Sequence, residues 1–128
     1  MAQILLVGID PDLVDFSDPA VPPGINADMI RRGIRQALDE LAAAGHDTQH
    51  LYIPLDPAAQ AELTGKLATD SIDCIVVGGG IRVPPSNLLL FEAVLNTIAR
   101  ASSPPAIALV VHPGEASAAV ARVLGKRE

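Results

Sequence analysis

Tryptophan is absent from this chain, and its aromatic residues amount to two phenylalanines and one tyrosine. That scarcity excludes several kinds of site. Single-stranded nucleic acids are held by stacking bases on exposed rings, and flavins are often set against one. Phe16, Tyr52 and Phe91 offer too little for either. The core must instead be aliphatic and rich in alanine. Cysteine is nearly absent as well: Cys74 stands alone, so no intramolecular disulfide is available. Its place inside an apolar run makes it a small buried hydrophobe rather than a reactive thiol. No apolar stretch approaches the ~20 residues of a membrane span, and the start, Met1-Ala2-Gln3-Ile4, has no basic leader. The chain is therefore expected to be soluble and cytoplasmic, without a membrane partner.

Positive charge is also in short supply. Nine Lys and Arg face fifteen Asp and Glu, for a formal net charge of −6 and a pI near 4.9. With no dense basic run, the surface repels phosphate backbones, and a nucleic-acid partner is not expected. What the chain has in quantity is aliphatic side chain. Apolar residues make up 49% of its 128 positions and charged residues 19%, which excludes disorder and suffices for one core. A single α/β domain spanning 1–128 is expected.

Four short apolar runs stand out: Ile4–Ile9, His50–Pro54, Ile72–Val77 and Ala106–Val111. They are continuous rather than alternating, as in strands buried on both faces of a parallel sheet. Helical patterns lie between them. The first, from about Asn26 to Ala44, carries Ile30, Ile34, Leu38 and Leu41, with Asn26 as N-cap and Gly45 beyond the C-terminus. The second starts at Asp56-Pro57, the third near Ser86, and the last runs from about Glu115 to Leu124 with Gly125 ending it. Strand–helix alternation through four units predicts a three-layer αβα sandwich. With right-handed crossovers the simplest order is 2-1-3-4, a short flavodoxin-like or Rossmann-like sheet. The first and last helices then cover one face, and the second and third the other. Ligands of such folds bind where the strand order reverses, here at the carboxyl ends of strands one and three. That places Asp10 and Asp12 opposite Gly78-Gly79-Gly80.

The segment 10–25 is long for a strand-to-helix loop, which usually takes about 2–6 residues. Proline and glycine stiffen it, and Leu13, Val14, Phe16 and Val21 can anchor it, so a packed lid over the sheet edge is expected. The plain alternative is a cover for a helix end, or a dimer contact. Asp10-x-Asp12-x-Val14 matches the first motif of haloacid-dehalogenase-like phosphatases, where paired carboxylates serve as nucleophile and acid/base. The later motifs are missing: strand two ends at Pro54, and strand four runs into His112-Pro113-Gly114-Glu115. A response-regulator receiver would need an acceptor Asp at the third strand end, where glycine stands. Asp73 lies at the wrong end of that strand.

Three glycines after a strand leave backbone amides uncovered and permit positive φ. Neither a Gly-x-Gly-x-x-Gly in the first loop nor a P-loop is present. What remains is a generic anion cradle made of the Gly78–Gly80 amides, Arg82 and a helix start near Ser86-Asn87, suited to a carboxylate or phosphate. Alternatively the glycines let the lid approach closely, and Arg82 pairs with one of its aspartates. His112 falls at the same edge. His46 and His50 are placed at the opposite edge, at the start of strand two. Arg31, Arg32 and Arg35 read as a solvated helix face, with Arg35 and Asp39 spaced to pair.

The patterns Val14-Asp-Phe-Ser-Asp-Pro-Ala with Pro22-Pro-Gly24, and Gly78-Gly-Gly-Ile-Arg-Val-Pro-Pro85 with Phe91-Glu92, cover much of the chain. In them the chain resembles a family of small bacterial Rossmann-like or flavodoxin-like α/β proteins. The resemblance implies one intact domain and brings no activity, cofactor or catalytic residue. The expected function is binding of a small anionic molecule by Asp10, Asp12, Gly78, Gly79, Gly80, Arg82 and His112. No catalytic residue, resident metal or particular cofactor is assigned. Two alternatives stand beside it. One is a metal-dependent hydrolase or transferase using Asp10, Asp12 and His112, which would hold a hard cation if they converge. The other is a homodimeric scaffold domain.

Overall fold

The computed structural model describes residues 2–125; Met1 and residues 126–128 of the expected 1–128 domain lie outside them. Four strands, β1 (Gln3–Gly8), β2 (Asp47–Tyr52), β3 (Cys74–Val77) and β4 (Ala106–Leu109), form one parallel sheet. Their order is β2-β1-β3-β4, as the crossover argument requires. The helices are α1 (Ala27–Ala43), α2 (Ala61–Thr69), the single turn α3 (Gly79–Arg82), α4 (Leu88–Ala99) and α5 (Ala116–Leu124). Among the described residues, no helix is long and apolar enough to cross a membrane.

Alternation along the central strands divides the core in two. Ile4, Leu6, Cys74, Val76 and Ala108 pack under α1 and α5, with Leu41, Ala119 and Val120. Leu5, Val7, Ile75 and Val77 pack on the other face with Leu63 of α2 and Leu90, Val94 and Ile98 of α4. First and last helices thus share one face, the others the second. Full burial of one such aliphatic side chain contributes about 1.5–3 kcal/mol, and aromatic rings are not needed. Cys74 is buried, and desolvation, helped by the nearby Asp73 charge, pushes its thiol up to about 11.

Helix ends follow their local chemistry. Asn26 caps α1, its side-chain oxygen accepting from the Met29 amide at 2.9 Å. Gly45 follows that helix at φ +90°, and Gly125 follows α5 at φ +71°. Most boundaries lie within two residues of expectation, and two differ by three or more. The β2 strand begins at Asp47, three residues before its apolar run, because an edge strand needs only one covered side. Asp56 opens a turn, its carboxylate accepting from the Ala58 amide at 2.9 Å, and α2 starts only at Ala61.

Candidate functional site

The largest difference from the expected elements lies at the glycine triplet. Instead of an open loop, Gly78 caps α3, and a 3-10 turn (Pro85–Asn87) then leads into α4. None of the three glycines has positive φ; among the described residues only Gly24, Gly45 and Gly125 do. The triplet is needed for contact instead. The Gly78 amide donates to the Val7 carbonyl at 2.8 Å, extending the β1–β3 pairing. A Cβ on Gly79 would sit 2.6 Å from the carbonyl carbon of Val111 and nearer still to its oxygen. The backbone after β4 therefore rests directly on α3. Glycine permits a close approach here, but the partner is the β4 exit rather than the lid.

Between that contact and the lid lies a cavity of about 270 Å³ at the carboxyl edge of β1, β3 and the β4 exit. Its floor is Leu6, Val7 and Gly8. One wall is Ile30 and Ile34 of α1, and the roof includes Val14, Ala20, Val21 and Ile25 of segment 10–25. The far wall is Gly78–Gly80 with Val110–Pro113. Among the described residues, His50 and His112 are the only polar side chains in the lining.

The residues expected to hold an anion are divided by this geometry. Gly78, Gly79, Gly80 and His112 line the cavity, whereas Asp10, Asp12 and Arg82 do not. Asp10 accepts from the Asp12 amide at 2.9 Å and caps a 3-10 turn, Pro11–Leu13. Asp12 pairs with Arg31, which also meets Asp28 at 3.2 Å. Arg31 is therefore not simply solvated, since it ties the lid's first turn to α1. The Asp12 hydrogen bond holds its guanidinium protonated even more firmly than usual. Among the described residues no ion pair joins Arg35 to Asp39, and none engages Arg82. The Arg82 Nε is buried without a partner. Asp18 contacts Ser86 Oγ at 3.4 Å, the lid's link to the α3–α4 connection.

The His112 side chain is 64% exposed, and its Nε2 lies 3.6 Å from Glu115. Asp10, Asp12 and His112 do not converge: among the described residues, no group of three or more His, Cys, Asp or Glu side chains is placed to hold a metal ion. Asp73 stays at the amino end of β3, accepting from the Gln3 amide at 2.7 Å.

His50 was expected at the opposite edge, yet it reaches the cavity. The earlier start of β2 puts it within the strand, in register with Leu6. Its ring stands edge-on to Tyr52, with centroids 4.4 Å apart and planes at 81°. Burial lowers its pKa and favours the neutral imidazole. Tyr52 is shifted upward, first by burial and next by the Asp10 charge.

No family model and no curated protein matches the chain. The site must be read from its own chemistry. A partly open cavity lined almost wholly by aliphatic groups shields much of a ligand's body from water, while two imidazoles and the Gly79 and Gly80 amides offer polar contacts.

Proposed function

We propose that the domain binds a small, largely apolar molecule in the cavity at the carboxyl edge of β1 and β3. One observation carries this reading: among the described residues, His50 and His112 are the only polar side chains lining a cavity of about 270 Å³. Pockets for small molecules are typically apolar with a few placed polar groups, and start at about 300 Å³. A dry aliphatic cavity of roughly 150 Å³ already takes benzene, so this one accommodates a larger ring or a short branched chain. The lining offers an anion no cationic side chain unless a histidine is protonated, which argues for a neutral ligand body over a phosphate ester. The role assigned to the Gly79 and Gly80 amides is to meet a polar end of that ligand, and the lid's role is to cover it.

A thermal-shift comparison of cyclohexylmethanol, indole, benzoate and inorganic phosphate tests this. A probe at 100 times its Kd stabilises the fold by about 2.7 kcal/mol, a rise on the order of 10 °C for a domain of this size. The apolar probes are expected to raise the melting temperature. Ala20→Leu, which adds bulk from the lid, is expected to abolish the rise. A response to phosphate alone would return the site to an anion.

A second reading, a homodimer, is favoured by a separate observation. Ile107, Leu109 and Val111 on and just beyond edge strand β4 are 36%, 39% and 53% exposed. Ile107 and Leu109 pair in register with Ile75 and Val77, so they share the face that α4 covers elsewhere.

A further inference from the structure

Of the two histidines lining the cavity, only His50 is left without a hydrogen-bond or ion-pair partner among the described residues. His112 is turned toward Glu115 and is mostly exposed. His50 is half-buried, and among the described residues its ring nitrogens take part in no hydrogen bond or ion pair. Its ring packs edge-on against Tyr52 and forms part of the cavity lining. Register with Leu6 directs His50 to the α1 face of the sheet, where Ile30 and Ile34 form the opposing wall. A polar group on an apolar wall costs free energy unless a partner meets it. His50 is only half-buried, so water meets its nitrogens when no ligand is bound, and a ligand group that displaces that water must replace its hydrogen bond.

We infer that His50 is the specificity-determining residue of the cavity, and that it selects a neutral ligand with an apolar body and one hydroxyl or carbonyl group lying at the β2 end. The inference rests on the cavity being the ligand site. Burial keeps the imidazole neutral, so one nitrogen donates and the other accepts. Such a ring pairs with a hydroxyl as donor or acceptor, and with a carbonyl as donor. It gives a carboxylate no full charge to meet.

The test uses the full chain with a matched set of probes: cyclohexylmethanol, methylcyclohexane and cyclohexanecarboxylate. Affinities are measured by calorimetry for the wild type, His50→Leu and His50→Gln. Transferring a hydroxyl from water favours the hydrocarbon in both proteins, so the informative quantity is the alcohol-to-hydrocarbon affinity ratio. One buried hydrogen bond contributes about 1–1.5 kcal/mol, so His50→Leu is expected to lower that ratio about tenfold. His50→Gln, which keeps a donor and an acceptor, is expected to restore part of it. In the wild type the alcohol should also shift the His50 imidazole nitrogen resonances, which the hydrocarbon should leave in place.

An unchanged ratio in His50→Leu, or imidazole resonances that do not respond to the alcohol, would overturn the role of His50 while leaving the cavity as a binding site. Tighter binding of the carboxylate than of the alcohol would overturn the neutral-ligand assignment. If no probe binds any of the three proteins, the cavity reading itself fails and this inference with it.

Discussion

Gly78, Gly79 and Gly80 stand side by side, and the structure assigns each a different steric position. A Cβ on Gly79 has nowhere to go, because the Val111 backbone occupies that space and main chain yields less readily than a side chain. On Gly78 it would lie 3.1 Å from the Val7 oxygen, a tight but relievable contact. On Gly80 it would meet only Ile9 Cδ1 at 3.9 Å, an ordinary van der Waals distance. Since Gly80 sits within a helical turn at negative φ, alanine there limits the unfolded chain without native strain. Chemical denaturation of the three alanine variants should therefore diverge. Gly79→Ala is expected to lose about 1–3 kcal/mol or more from overpacking. Gly80→Ala is expected to change stability by about zero to +1 kcal/mol, with Gly78→Ala between them. Equal losses at all three positions would mean that the α3–Val111 contact does not set the spacing of the cavity's far wall.

At the scale of elements, the β4 exit shows how a short strand is finished. The Val111 amide donates to the Glu115 carboxylate at 2.7 Å, and the Arg122 guanidinium donates to the Leu109 carbonyl at 3.3 Å. Both groups lie on or just past the strand's open side, so α5 and the turn before it cover part of that edge. The Val111 hydrogen bond is the main cause of the lowered Glu115 pKa. The sign follows: the bond is present while the carboxylate is charged and is lost as pH falls through the lowered value. Titration followed at the Val111 amide proton should give an acid midpoint below that of an exposed glutamate, and Glu115→Gln should remove the step. The strand order and the helix faces were legible because continuous apolar runs and capping residues such as Asn26 report burial and local geometry directly. The expected start of β2 was wrong because Asp47, Thr48 and Gln49 lie on an edge strand whose exposed side tolerates polar residues. That error displaced His50 from the site. Pairing His50 with Leu6 by counting back along an extended β2 would have found it. The helical turn at the triplet was hidden for a different reason: glycine disfavours helix, and only packing against Val111 imposes it.

For the molecule as a whole, a four-stranded sheet leaves two edges of unlike character. The β2 edge carries Asp47, Thr48 and Gln49, while the β4 edge carries the exposed Ile107, Leu109 and Val111. Hydrogen-bonded addition of another strand to β4 is hindered where Glu115 and Arg122 already engage it. A second copy would therefore meet this strip through side chains, as an isologous contact across a two-fold axis. The net charge of −6 opposes that meeting. Raising salt above physiological strength, where the Debye length is already about 8 Å, should strengthen association by screening the repulsion. Sedimentation of the wild-type chain is then expected to show a concentration-dependent shift from monomer toward dimer, enhanced by salt. Ile107→Lys should hold the chain as a monomer, and at a position already 36% exposed it should alter unfolding by little more than about 0.5 kcal/mol. A wild-type chain that remains monomeric across concentration and salt would remove the dimer reading and leave the β4 strip as bare surface. A dimer unaffected by Ile107→Lys would place the contact on another face.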